Sequence, residues 1–326
     1  MKVAFHTNEI NVRGTELATY RYAHYNETML DNESIYIAGP TTSRFEHPLA
    51  AEKFEKRFKV FRYDKWEEVQ DILDQEKVDV LYMQKGGEFD GKVSEKTKTC
   101  VHAVFQNHEP HGDVYAYISE WLSLKVTEGK EKFVPYIVEV PDVETDLREK
   151  LEIPENATVF GRTGGPDQFD VPFVHEAIKK VLDEREDVYF IFLNTNNFLE
   201  HERVKYLPAT ADEVYKTEFI NTCDAMIHAR FMGESFGMAI AEFSLKNKPV
   251  ITGWGGNDQA HLHMLKEKGI YYNSYESILE ILRSMKKGDF EDGDWNAYDG
   301  FRAEIVMKQF ENVFLDGYRT AWRMSH

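Results

Sequence analysis

Alternating strands and helices predict an α/β chain whose sheets are parallel and covered on both faces. Short apolar runs at residues 2–6, 34–38, 59–63, 78–84, 98–105 and 114–119 read as strands, and others at 157–162, 188–193, 224–229 and 248–253 continue the pattern. Between them lie segments with apolar residues at helical spacing, such as Val174, Ala177, Ile178, Val181 and Leu182. A strand that feeds a helix before the next strand builds a parallel sheet. The 326 residues suffice for two domains, each burying its own core.

In order, the first strand ends in a loop, and Gly14 opens a helix to about residue 30, with Leu17, Tyr20, Ala23 and Tyr25 on its inner face. Helices are expected at 46–57, 66–75 and 120–126. Residues 133–141, punctuated by Pro135 and Pro141, read as the crossing between domains. The domains are then 1–137 and 138–300, with 301–326 as a closing segment. The second domain carries helices at 173–184, 211–221 and 277–285. A last helix over 298–323 presents Phe301, Ile305, Val306, Phe310, Val313, Phe314 and Tyr318 as an apolar stripe.

Composition excludes several classes. The net charge is −18, from 39 basic and 57 acidic residues, and no basic run is present. Such a chain repels phosphate backbones, so no nucleic-acid partner is expected. Cys100 and Cys223 lie far apart on apolar stretches and read as two buried thiols rather than a disulfide. With no apolar run of membrane-spanning length and a strand at the first residues, no membrane span and a cytoplasmic location are expected. The three Asn-x-Ser/Thr sequons at Asn26, Asn32 and Asn156 are then chance matches.

The chemistry gathers around Gly233-Glu234-Ser235-Phe236-Gly237-Met238-Ala239-Ile240-Ala241-Glu242. Asp224-Ala225-Met226-Ile227-His228-Ala229 before it and Lys248-Pro249-Val250-Ile251-Thr252-Gly253 after it read as buried strands. Phe236, Ala239, Ile240 and Phe243 recur at helical spacing, and Gly237 falls in the first turn, where a small residue permits close approach. The N–H groups of a first turn have no partner inside the helix, and the dipole favours an anion there. Eight helical residues rise roughly 12 Å, so Glu234 and Glu242 cannot act as an acid/base pair on one bond. They suit the two ends of an elongated ligand with a negatively charged middle, the shape of a nucleotide-sugar.

This stretch resembles the donor motif of retaining GT-B glycosyltransferases, family 4 in particular, in which two Glu are separated by seven residues. The resemblance implies two Rossmann-like domains with parallel sheets facing a central cleft, and a last helix crossing back to the first domain. It implies that Glu234 contacts the donor sugar and Glu242 the ribose. Backbone groups of Ser235, Phe236, Gly237, Met238 and Ala239 would then line the diphosphate. Residues 1–137 would be the acceptor side and 138–300 the donor side. Arg13-Gly14-Thr15-Glu16 resembles the family's Gly-Gly-x-Glu turn, with Arg13 replacing the first glycine, and places Gly14 at the ligand; otherwise this is a helix start capped by Thr15. Phe160-Gly161-Arg162 matches the family's Gly-Arg strand end, so Arg162 would neutralise the diphosphate. The lysine that follows in the family is missing: the loop reads Gly165-Pro166-Asp167-Gln168-Phe169-Asp170. Lys216 and Arg230 are the cations available to compensate. The loop Gly255-Gly256-Asn257-Asp258-Gln259 occupies the place where the family reads the sugar, which makes Asn257 a donor contact.

The family also places a His after a strand near the reacting sugar, followed by a strand ending Ser-Glu, as Ser119-Glu120 does here. His108 is the first choice for that role, His111 the second and the strand residue His102 the third; each is alternatively a His without chemistry. Two His, a Glu and an Asp within residues 106–113 fit no standard zinc spacing. Asp292-Gly293-Asp294 reads as a solvated loop rather than a metal motif. The expected reaction is metal-independent transfer from a UDP- or GDP-sugar to a glycan or other hydroxyl acceptor, with retention and without a cofactor. A dinucleotide-dependent oxidoreductase would need Gly-x-Gly-x-x-Gly after a strand, an order the chain lacks. A catalytically weak GT-B protein that binds a glycan or partner is the alternative.

Overall fold

The computed structural model describes residues 1–316. In chain order the elements are β1 (Lys2–Thr7), α1 (Gly14–Thr28), β2 (Glu33–Ala38), α2 (Pro48–Arg57), β3 (Lys59–Arg62), α3 (Glu67–Glu76), β4 (Val80–Lys85), β5 (Lys98–Ala103), β6 (Val114–Tyr117), α4 (Glu120–Thr127) and β7 (Lys132–Phe133). There follow β8 (Thr158–Thr163), α5 (Pro172–Glu184), β9 (Val188–Leu193), β10 (Val204–Leu207), α6 (Glu213–Thr222), β11 (Ala225–His228), β12 (Gly233–Glu234), α7 (Met238–Leu245) and β13 (Val250–Gly253). The last are β14 (Asp258–Gln259), α8 (Ala260–Leu265), β15 (Gly269–Tyr272), α9 (Tyr275–Ser284) and α10 (Ala303–Phe310). The chain divides into two compact units, one of residues 1–137 with 301–326 and one of residues 138–300.

The first unit holds a parallel sheet of order β3-β2-β1-β4-β5-β6-β7. Val69 and Leu73 of α3 pack with Ala4, Ile35, Ile37, Leu81 and Met83 of the strands. Aromatic rings form another cluster, in which Phe310 of α10 stacks 4.9 Å from Tyr22 and Phe314 lies 5.3 Å from Tyr82. The inner face of α1 is not the expected one. Ala18, Tyr22 and Ala23 are buried with Thr19, Arg21 and Asn26, whereas Leu17, Tyr20 and Tyr25 are only half-buried. The polar members tolerate burial because they are bonded: Arg21 Nη1 donates to Ile137 O at 3.0 Å, and Asn26 Nδ2 to Ser34 Oγ at 2.9 Å.

Two further expectations shift. The second helix starts at Pro48, which needs no N–H partner at the first turn, while Glu46 ahead of it accepts from Ile10 N at 2.8 Å. The closing helix starts at Ala303, not 298, after the 3₁₀ turn Asp299–Phe301. It passes into a π-helical turn at Glu311–Leu315. That wider turn advances the face, so Leu315 is buried beside Phe314, while Ile305 of the expected stripe is exposed. Tyr318 and the rest of the expected helix lie outside the described residues.

The second unit holds a parallel sheet of order β10-β9-β8-β11-β13-β15, with β12 and β14 forming a separate parallel pair. In both large sheets the first strand of the unit is central and the order reverses beside it, the arrangement of a dinucleotide-binding fold. The apolar run of β9 is buried on both faces apart from a half-buried Tyr189, as parallel strands between helices require. The thiols of Cys100 and Cys223 are free and buried, one in each unit.

Candidate functional site

In an open parallel sheet the ligand crevice lies beyond the carboxyl ends of the strands, where the order reverses. In the second unit that point is between β8 and β11. Arg162 is the penultimate residue of β8 and His228 ends β11; Arg230 and Glu234 follow in the next six residues. His228 Nε2 lies 3.3 Å from Glu234 Oε1, and Arg230 Nη1 donates to Glu234 Oε2 at 2.8 Å. Behind them, His228 Nδ1 lies 2.8 Å from Thr252 Oγ1, and Tyr272 Oη donates to the His228 carbonyl at 2.9 Å. Glu234 is therefore gripped at both oxygens, by a histidine that is itself anchored. Burial pushes its carboxyl up, but the His228 hydrogen bond and the charge of Arg230 outweigh that and hold it below the usual range. His261 packs against His228 with ring centroids 5.1 Å apart, and burial pushes its pKa down to about 3.

Arg162 is buried, and desolvation lowers its pKa to about 10 against the favourable charge of Glu234. Its guanidinium donates to Thr195 Oγ1 at 2.6 Å, Asn194 O at 3.4 Å and Gly165 O at 2.9 Å. Those bonds use three of its five N–H donors. Arg162 thus ties the loops after β8 and β9 together, and among the described residues no further hydrogen bond engages its other two N–H groups.

Gly237 is the N-cap of α7 with φ of 86°, in the left-handed region, and no side chain caps the helix. That conformation favours glycine, and an added Cβ would meet Glu234 Cβ and Ile240 Cδ1 at 3.4 Å. Glu234 lies outside the helix in β12, so the 12 Å helical rise does not measure its distance from Glu242. Phe236 is buried and packs edge-on against Tyr298, whose hydroxyl donates to the Phe236 carbonyl at 3.2 Å. Its side chain is core, and only its backbone remains for a ligand. Met238 and Ala239 are half-buried in the first turn of α7. Pairing of Gly233 with Asp258 and of Glu234 with Gln259 brings exposed Asn257 to the Glu234 loop.

Glu242 is 2 % exposed and accepts from Lys216 Nζ at 2.5 Å. The two cations that stood as substitutes for the missing lysine are thus each committed to a carboxylate: Lys216 to Glu242, Arg230 to Glu234. Removing Lys216 leaves a buried carboxylate without a partner, while the partly exposed Lys216 can turn to water when Glu242 is neutralised. Lys216→Ala is expected to cost about 3 kcal/mol of stability, and Glu242→Gln clearly less. Denaturant unfolding of both variants checks this; equal losses would show the pair relaxing into solvent.

His108 and Gly14 belong to the first unit. His108 is exposed, with Nδ1 3.1 Å from the Tyr117 hydroxyl. Its third-ranked rival His102 is a core residue: fully buried, 2.6 Å from Tyr82 Oη and 3.1 Å from Tyr117 O, with its pKa pushed down to about 3 by burial. His111 is held between the Glu109 carbonyl and Lys85. The acids of the same loop are turned away from it, Asp113 accepting from Thr99 N and Glu109 from Phe89 N. Asp294 pairs with Lys268 at the surface. His228, Thr252 and His261 were not singled out from the sequence; a histidine ending an otherwise apolar strand at its carboxyl end was the available signal for the first.

No family model and no curated protein matches the chain. Solved structures do. The chain is similar to WaaG, a glycosyltransferase involved in lipopolysaccharide biosynthesis, with a TM-score of 0.68 and 12% identity over 95% of this chain and 99% of that one. It is similar to Alr3699/HepE of Anabaena in complex with UDP and glucose, with a TM-score of 0.64 and 14% identity over 100% and 99%. A Listeria monocytogenes protein assigned as a UDP-N-acetylglucosamine 2-epimerase gives a TM-score of 0.65 and 14% identity over 97% of both chains. The likeness is one of fold: two parallel α/β sheets, of seven and six strands, matching GT-B structures along their length. Among the described residues no helix is long and apolar enough to cross a membrane.

Proposed function

We propose that the protein is a retaining glycosyltransferase that moves a sugar from a UDP- or GDP-sugar to a glycan or other hydroxyl acceptor without a metal. The observation that carries this reading is the arrangement at the β8/β11 reversal. A clamped carboxylate and an uncapped helix start follow β11, and a buried arginine lies at the end of the neighbouring β8. In this reading Arg162 and the first turn of α7 bind the diphosphate and stabilise its charge as it leaves, which is electrostatic catalysis. Glu234 contacts the transferred sugar with Asn257 beside it. Glu242 takes the ribose, through whatever edge its bond to Lys216 leaves open. Residues 138–300 are then the donor side and residues 1–137 the acceptor side, with His108 as the histidine at the reacting sugar.

A panel of nucleotide-sugars assayed with EDTA present tests this. Release of nucleoside diphosphate, with the sugar transferred or hydrolysed, is expected. An isomerised donor would instead point to epimerisation, the activity assigned to one protein of like fold. No turnover but tight glycan binding would favour a binding module. Arg162→Ala is expected to weaken nucleoside diphosphate binding by about 10- to 100-fold, since charge-assisted bonds are worth roughly 1.5–3 kcal/mol. Nucleoside binding should change little. Equal losses in calorimetric titrations would make Arg162 purely a tie between loops.

A further inference from the structure

The loop that carries Glu234 is held by little regular structure. β12 and β14 pair over two residues, Gly233 with Asp258 and Glu234 with Gln259, and so short a ladder is marginal by itself. The two backbones are nonetheless pressed together: an added Cβ at Gly233 would meet the Asp258 carbonyl oxygen at 1.9 Å. The turn runs from Gly233 to Gly237, and both glycines take positive φ, 74° and 86°. His261, the second residue of α8, packs against both ends of it. An added Cβ at Gly233 would lie 3.4 Å from His261 Cε1, and one at Gly237 would lie 3.5 Å from His261 Cβ. The side chain therefore spans the turn, and it is 1 % exposed.

The two ring nitrogens of His261 differ. Nδ1 is buried and has no hydrogen-bond partner among the described residues. The hydrogen bond of the ring goes to the Glu234 backbone carbonyl. Burial keeps the ring neutral, so one nitrogen alone bears a hydrogen, and Nε2 is the one that donates. A buried nitrogen without a partner costs free energy that an apolar side chain of similar size would not incur. Packing alone therefore gives no reason for a histidine here. The bond to the Glu234 carbonyl does, since an apolar side chain could not make it.

His228 holds the same residue by its other end. Its ring centroid is 5.1 Å from that of His261, and its Nε2 is 3.3 Å from Glu234 Oε1. One histidine grips the side chain of Glu234 and the other its main chain. Displacing a reacting group by about 1 Å costs roughly 100-fold in rate, so both holds bear on chemistry.

We infer that His261 is a positioning residue: through its hydrogen bond to the Glu234 backbone it sets where the Glu234 carboxylate sits, without touching the ligand. That the carboxylate serves sugar transfer rests on the reading above; the hold on the loop does not.

The variants His261→Gln, His261→Asn, Glu234→Ala and the double variant His261→Asn/Glu234→Ala test it in the full chain. Glutamine brings an amide N–H to about the reach of Nε2, whereas asparagine ends near Nδ1 and leaves the carbonyl without this donor. Hydrogen exchange of the 233–237 amides should be at least about tenfold faster in His261→Asn and close to the unsubstituted rate in His261→Gln. With a nucleotide-sugar that the unsubstituted protein turns over, His261→Asn should lower kcat by about 10- to 100-fold. KM and nucleoside diphosphate affinity should stay nearly unchanged, and His261→Gln should recover most of the loss. The double variant should turn over no more slowly than Glu234→Ala alone, because His261 acts through that carboxylate. Thermal midpoints check the fold, and His261→Leu repeats the comparison should His261→Asn not fold. Equal exchange and turnover in the Asn and Gln variants, a change confined to KM, or losses that multiply in the double variant would each overturn the inference. If the unsubstituted protein turns over no donor, the transfer reading falls and the exchange rates alone decide the role of His261.

Discussion

Acidification from about pH 6.5 towards pH 4 is expected to destabilise the protein steeply, through His6, His102 and His261. Burial holds each ring neutral in the native state and pushes its pKa from 6.5 down to about 3. Unfolded, the same rings protonate near pH 6.5. Their folded values are depressed, so the stability they contribute is complete above the unfolded pKa and is lost as pH falls towards the folded one. Within that window each ring gives a slope of up to about 1.4 kcal/mol per pH unit. Glu16 opposes them. Burial raises its pKa from 4.5 to about 7, so its contribution is present below the lower value and is lost as pH rises through the higher. Three rings against one carboxyl leave a net loss on acidification. Denaturant midpoints between about pH 7.5 and 4.5 measure it, and His102→Gln should flatten the slope by one ring's share. An unchanged slope would place the acid lability in other groups.

The second large effect concerns the clamped carboxylate. On the proposed function, Glu234→Ala lowers turnover about 100-fold and leaves affinity for bare nucleoside diphosphate nearly unchanged. Glu242→Ala instead weakens nucleotide binding whatever sugar is attached. The reason is placement. Glu234 projects from the β12 loop, held by His228 and Arg230, while Glu242 lies about one turn into α7 against Lys216. Titration of each variant with nucleoside diphosphate, with its thermal midpoint, separates this from a merely structural role, in which both lose stability and neither changes affinity selectively. If Glu234→Ala abolishes binding of the bare nucleotide with the fold intact, the two ends of the donor are reversed.

The elements most readily read from the sequence were those whose burial leaves a continuous apolar run or a clean helical stripe. Residues 188–193 and the helix carrying Val174 to Leu182 are such cases. The edge strands β10 and β15 and the two-residue pair β12/β14 carry no such pattern, because edge positions are half-exposed and a two-residue pairing has no period. The inner face of α1 was misread because Arg21, Thr19 and Asn26 are buried through hydrogen bonds that only the folded chain supplies. At the candidate site, residue spacing picked out Glu234 and Glu242, and the family resemblance picked out Arg162. Neither revealed their partners, since His228–Thr252 and Lys216–Glu242 join residues 24 and 26 positions apart.

The return of α10 to the first unit bears on the order in which the chain can mature. The second unit is continuous from Val138 to Gly300, so every strand of its sheet exists once that stretch is made. The first unit is not: the rings of Tyr22 and Tyr82 wait for Phe310, and His102 for Phe314. A chain synthesised from its amino end therefore carries an unfinished aromatic core past the completion of its later half. The part made first is the part finished last, and in the interval its exposed rings are the surface on which aggregation or chaperone capture acts.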